Sequence, residues 1–125
     1  MIPTAPMNDM QKAMQECMQT CMSCHTMCME TLNTCMQQGM AMTPAMMCML
    51  LDCAEMCQTT ANCMMRGSMM CMQMCGVCAA MCTKCAEMCM EMCATMGEMP
   101  QMMACADCCR ACADACTKMT MMAMA

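Results

Sequence analysis

The sequence predicts an all-α fold: an antiparallel, up-down-up-down four-helix bundle with a thiol-lined core. Three observations predict it. Cysteines recur at spacings of three and four residues, which places them on one helix face. Gly39, Gly67 and Gly97, with Pro44 and Pro100, cut the chain into four long segments. Strand formers are scarce, with no Phe, Tyr or Trp, a single Val (Val77) and a single Ile (Ile2).

Each element has its own signals. Helix 1 is expected over about 8–38, with Pro6 and Asn8-Asp9 in a first turn and Gly39 as a stop. Thr43-Pro44 reads as N-cap and first helical residue of helix 2, which runs over 44–66 to Gly67. Ser68 is the expected cap of helix 3, over 68–96. Pro100 opens helix 4, over about 100–122. Short loops between four helices imply antiparallel neighbours in one domain, 1–125.

The composition narrows the chemistry. Of 125 residues, 21 are Cys and 33 are Met, while Leu occurs three times, so sulfur side chains take the core positions. Net charge is −5, and the five basic residues (Lys12, Arg66, Lys84, Arg110, Lys118) are scattered. With no basic patch and no aromatic platform, nucleic acid is excluded as a partner. No apolar run is long enough to span a membrane. The N-terminal MIPTAPMNDM has neither the basic nor the apolar region of a secretory leader, so a cytoplasmic location is expected. In that reducing compartment, clustered thiols point to metal or catalysis more than to disulfides.

The stripes run through all four helices. Helix 1 offers Cys17, Cys21, Cys24, Cys28 and Cys35, with Thr31 filling a gap in the beat. Helix 2 offers Cys53 and Cys57, with Cys48 and Cys63 off the beat. Helix 3 carries Cys71, Cys75, Cys78, Cys82, Cys85, Cys89 and Cys93, and helix 4 carries Cys105, Cys109, Cys112 and Cys116 with Cys108 beside them. Charges such as Glu87, Glu91, Asp107 and Asp114 fall on the opposite faces, so the stripes point inward.

Thiols at i and i+4 have Cβ atoms about 5–6 Å apart, too far for a disulfide, which wants about 3.8 Å. Two such thiolates can instead hold one ion between them. Thiolates and thioethers select soft ions, Cu(I) first, with tetrahedral zinc as the rival. Charge separates the two. Cu⁺ replacing a thiol proton leaves the core charge unchanged, whereas Zn²⁺ on four thiolates leaves two negative charges in a dry interior. If each ion bridges two thiolates and each thiolate two ions, the chain holds multiple Cu(I), on the order of 20.

Most of the methionines serve as core filler. Met7, Met10 and Met14 extend the helix 1 beat, and Met119 extends that of helix 4, toward Met64-Met65 and Met69-Met70. Together they would form a thioether-rich mouth. Met46, Met49, Met96 and Met102 fall at the other end, so the sequence leaves open which end admits copper. His25, beside Cys24, is either an auxiliary ligand or a hydrogen-bonded histidine.

Four segments carry a family resemblance: CHTMCMETLNTC (24–35), LLDCAEMCQTTANCMMRGS (50–68), CGVCAAMCTKCAEMC (75–89) and ACADCCRACADAC (104–116). From Lys12 to Met119 the chain resembles the copper storage proteins. The resemblance implies a bundle holding many Cu(I) ions on thiolates, and association into tetramers. It carries thiolate roles to Cys17, Cys21, Cys24, Cys28, Cys53, Cys57, Cys75, Cys78, Cys82, Cys85, Cys89, Cys105, Cys109, Cys112 and Cys116. Cys63, Cys71 and Cys108 are additions to the family pattern, and Met stands where Leu, Ile or Val is expected.

The reading is therefore Cu(I) storage and sequestration, supplied by a copper chaperone or a small-thiol donor, and not an enzyme. Two other readings stand beside it. One is a redesigned bundle with a Met/Cys core that takes soft metals. The other is a thiol oxidoreductase, for which only Cys105 and Cys108 lie near a helix start.

Overall fold

The computed structural model describes residues 8–97 and 99–124. Pro6 and Met7 lie outside the described residues. Four helices are present: α1 (Asp9–Gln37), α2 (Pro44–Met65), α3 (Cys71–Met96) and α4 (Pro100–Met124). No strand occurs among the described residues.

Asn8 starts α1 with a reciprocal cap. Its Oδ1 accepts from the Gln11 N–H at 2.8 Å, and its own N–H donates to Gln11 Oε1 at 2.9 Å. Thr43 caps α2 by accepting from the Met46 N–H at 3.2 Å, with Pro44 in the first turn. Both helices stop in the same way. Gly39 and Gly67 take φ of +66° and +63°, and the next residue's N–H reaches back to a carbonyl five residues earlier. Met40 N–H thus bonds to the Cys35 carbonyl at 3.0 Å, and Ser68 N–H to the Cys63 carbonyl at 2.9 Å.

That stop displaces one expected boundary. Ser68 does not cap α3, which begins at Cys71 with no side-chain cap on Met70. The Ser68 hydroxyl accepts from the Met70 N–H at 3.1 Å inside the turn and so reaches no N–H of α3, while its own N–H closes α2. The remaining bounds shift by one or two residues, as fraying ends do.

The helices pack in cyclic order, α1–α2–α3–α4 and back to α1. Cross-helix sulfur contacts fix their directions. Cys17 meets Cys116, Cys24 meets Cys109, and Cys105 meets Cys28, so α1 and α4 run oppositely. Cys53 and Cys57 meet Cys82, and Cys57 meets Cys78, so α2 opposes α3. Cys78 groups with Cys112 and Cys116 while Cys85 groups with Cys105 and Cys109, so α3 opposes α4, and the bundle is antiparallel, up-down-up-down.

One end gathers the start of α1, the end of α2, the start of α3 and the end of α4. It is closed by Ala13, Met64 and Met119, with Met10, Met14, Met74 and Met122 packed against them. The other end is closed by Leu32, Leu50, Met92 and Met102. Between these apolar plugs the interior is mostly cysteine, with alanines and two threonines, small and soft enough to tile the axis of four close helices.

Candidate metal centre

The helical repeat of three and four turns each cysteine stripe to the bundle axis, where four stripes meet. Of the 21 cysteines, 19 are buried, Cys108 is half-buried and Cys48 is exposed, and all are free thiols. Twelve Sγ···Sγ contacts fall between 3.6 and 4.0 Å. These separations exceed a sulfur–sulfur bond of about 2.05 Å. They suit sulfurs that share an ion about 2.3 Å from each, since such a pair stands no more than about 4.6 Å apart.

The sulfurs gather in fours, each set lying within 4.8 Å of one another. Five sets form a chain along the axis: Cys21-Cys78-Cys112-Cys116, Cys57-Cys78-Cys82-Cys112, Cys24-Cys53-Cys57-Cys82, Cys24-Cys28-Cys53-Cys109 and Cys28-Cys85-Cys105-Cys109. Each set shares two thiols with the next. Cys17 and Cys75 extend the column at the α1 N-terminal end through Cys116. Cys89 extends it at the other end through Cys105. These are the fifteen cysteines to which the resemblance assigns thiolate roles.

Two buried threonines bound the column. Thr60 follows Cys57 on α2 and donates to the Met56 carbonyl at 2.8 Å. Thr31 follows Cys28 on α1 and accepts from Gln101 Nε2 at 2.9 Å, while that same amide lies 3.2 Å from Met27 Sδ. Beyond Thr31 lie Cys35 and Cys93, both buried. Beyond Thr60 lie Cys63 and Cys71.

The column titrates as a network. Contact with Cys109, then Cys112, Cys28 and Cys53, holds Cys24 far below the ordinary thiol range. Contacts with Cys105, Cys24, Cys28 and Cys53 push Cys109 far above it. Cys116 and Cys21 draw Cys112 down to about 7. At Cys75 the Cys116 contact lowers the value, but the Cys17 contact and burial outweigh it, and the thiol rises to about 12. A few thiolates are thus stabilised by neighbours that keep their protons. A cation entering the network replaces those protons.

Several expected ligands lie elsewhere. Cys48 is on the outer face of α2, away from the column, because it falls off the stripe set by Cys53 and Cys57. Cys63 is equally off the beat, yet it is buried at the end of α2, where the α2–α3 turn folds over it. Cys108 sits beside the column, and burial pushes it up to about 11. Met119 is fully buried, whereas Met10 and Met14 are half-buried. His25 bonds through Nδ1 to the Ala54 carbonyl at 2.7 Å, which ties its ring to α2. Neither Thr60 nor the Gln101–Thr31 bond was legible in the cysteine beat. Thr60 occupies the stripe position after Cys57, which is the signal that marks it.

No helix among the described residues is long and apolar enough to cross a membrane. No curated protein matches the sequence significantly. The copper storage protein (Csp) family model matches residues 10–121. Among solved structures, the chain is similar to the Nmul_A1745 protein from Nitrosospira multiformis, at 29% identity and TM-score 0.79, covering 90% of this chain and 98% of that one. It shares the fold of Cu(I)-bound copper storage protein BsCsp3 at 22% identity and TM-score 0.75, covering 86% of this chain and 98% of that one. A bundle whose axis is a continuous column of free thiols is a soft-metal store. The chain belongs to the copper storage protein family.

Proposed function

We propose that the chain stores copper as Cu(I) on the fifteen thiols of the axial column, at about one ion per thiol, or on the order of 15 ions. The observation that carries this is the chain of four-thiol sets in which neighbours share two sulfurs. Shared sulfurs favour a singly charged ion, because each bridging thiolate then balances one copper and the dry core stays neutral. Divalent zinc in the same sets would accumulate negative charge. Anaerobic titration with a Cu(I) donor tests the reading: saturation well above ten ions per chain is expected, and saturation at one to four would sink it.

The role is storage and not catalysis. Cys75 and Cys105, the Cys-x-x-Cys residues nearest the starts of α3 and α4, have no exposed surface, so they offer no attacking thiolate to a substrate. The store operates in the cytoplasm, charged by a copper chaperone or a small-thiol complex. Copies associate, as the family resemblance implies, into tetramers. Exposed Met22, Met29, Met36, Met90 and Met103 supply apolar surface for that contact. Light scattering gives the oligomeric state directly.

A further inference from the structure

At the turn between α2 and α3, two thiols and a guanidinium meet outside the column. Cys71 Sγ donates to the Cys63 carbonyl at 3.2 Å. Arg66 Nη2 donates to Cys63 Sγ at 3.6 Å. The same Cys63 carbonyl accepts the Ser68 N–H at 2.9 Å, so the turn that ends α2 also holds the cluster together. Cys63 is 4% exposed and Cys71 6%, whereas the column thiols beside them, Cys17, Cys57, Cys75 and Cys116, have no exposed surface. Arg66 itself is exposed. On α2 Thr60 stands between Cys63 and Cys57, whereas on α3 Cys71 lies one turn from the column thiol Cys75, so the pair forms the solvent edge of the column.

Charge explains why a guanidinium stands here. In the column, bridging gives about one copper per thiolate and no net charge. A pair of thiols outside that network binds a single Cu(I) between two thiolates, which leaves one negative charge. Arg66, bonded to Cys63 Sγ, is placed to offset it. A guanidinium against the edge thiol Cys63 is also complementary to an incoming anion.

We infer that Cys63, Cys71 and Arg66 form a docking and exchange site for anionic Cu(I)–bis-thiolate complexes of small acidic thiols, feeding the column beyond Thr60. The inference rests on the Cu(I) storage reading. Two ligand exchanges accomplish the transfer. A Cu–S bond forms to Cys63 as one donor Cu–S bond breaks, and the departing thiolate leaves as a thiol with the Cys63 proton. The second exchange repeats this at Cys71. Copper stays Cu(I), two small thiols are released, and the single negative charge passes from the donor complex to the Cys63–Cu–Cys71 centre beside Arg66.

The test is anaerobic stopped-flow transfer from two preformed donors, the anionic Cu(I)–glutathione complex and the cationic Cu(I)–cysteamine complex. Arg66→Glu should slow the initial uptake from glutathione several-fold, in a salt-dependent way, and should not slow uptake from cysteamine. Arg66→Lys should retain most of the wild-type rate. Cys63→Ser with Cys71→Ser should remove about one ion from the capacity and slow both donors. Equal rates for Arg66→Glu and wild type with both donors would overturn the inference while leaving storage intact. A wild-type capacity of only a few ions would overturn the storage reading itself, whatever Arg66 does.

Discussion

The sulfurs of Cys57 and Cys82 stand 3.6 Å apart across the α2–α3 interface, at the middle of the thiol column. Cys57 also meets Cys112 at 3.8 Å and Cys78 at 3.9 Å, so one side chain links α2 to both α3 and α4. Cys57→Ser keeps the size but replaces a soft ligand with a hard one. Copper capacity should fall by about one or two ions, because each column thiolate serves more than one. Cys48→Ser, on the exposed face of α2, should leave the capacity unchanged. Competition titration against a Cu(I) chelator reads both.

Copper uptake should weaken as pH falls. Every ion that lands on a protonated thiol displaces its proton, so affinity drops about tenfold per pH unit for each proton released. A proton count above ten per chain at saturation, measured in weakly buffered solution, would accompany full loading. No proton release on loading would refute thiolate ligation.

The reduced, metal-free protein should lose stability in alkali. Cys108 is raised to about 11 by burial, and Cys75 to about 12 by the balance of its thiol contacts and burial, against an ordinary 9.0. A thiol with a raised value holds its proton more tightly folded than unfolded. Its contribution is complete below about pH 9 and disappears as pH climbs through 11 and 12. Melting temperature should fall as pH climbs from about 9 through 11 and 12. The copper-loaded form has already surrendered column protons, and its melting should be much less sensitive over the same range.

Thr31→Cys should enlarge the store. Thr31 is fully buried one helical turn beyond Cys28 and one turn short of Cys35, so a sulfur there joins the column to an outlying thiol. Capacity should rise by about one ion or slightly more. The Gln101 amide loses its hydroxyl acceptor, at a cost of about 1–2 kcal/mol in the metal-free state. Chemical denaturation measures the cost, and titration measures the gain.

Copper loading should raise the melting temperature sharply, and a strong Cu(I) chelator should reverse it. The preassembled thiol sets exist only in the folded chain, so binding free energy becomes folding free energy. The effect should be large here because flexible Met plugs at both ends specify packing weakly. A metal-free form melting as cooperatively and as high as the loaded one would assign the order to packing alone.

The beat of three and four made the stripes legible, and the stripes gave the axis. Cys24, Cys53 and Cys109 come together because each lies on its helix's inward face, and periodicity alone says so. Thr43-Pro44 and Gly39 marked their helix ends for equally local reasons. What failed was local chemistry with two uses. Ser68 has the residue type of a cap, but its hydroxyl is engaged by the Met70 N–H inside the turn while its N–H closes the preceding helix. Cys48 and Cys63 break the beat alike. Only the turn packed over one end of α2 separates the buried thiol from the exposed one. Contacts between distant residues, such as Gln101 with Thr31 or His25 with Ala54, leave no periodic trace.

Cys24, Cys57 and Cys112 each belong to two of the overlapping four-thiol sets. An ion leaving one set therefore keeps two of its ligands while it gains two more. Nothing has to be released to solvent for copper to advance. Movement along the axis is a relay, and traffic in and out is limited at the extremities and not in the interior. Such a store works as a stack: the ion that arrives last is the first to depart, and the deepest cargo turns over slowest even where every berth binds equally well.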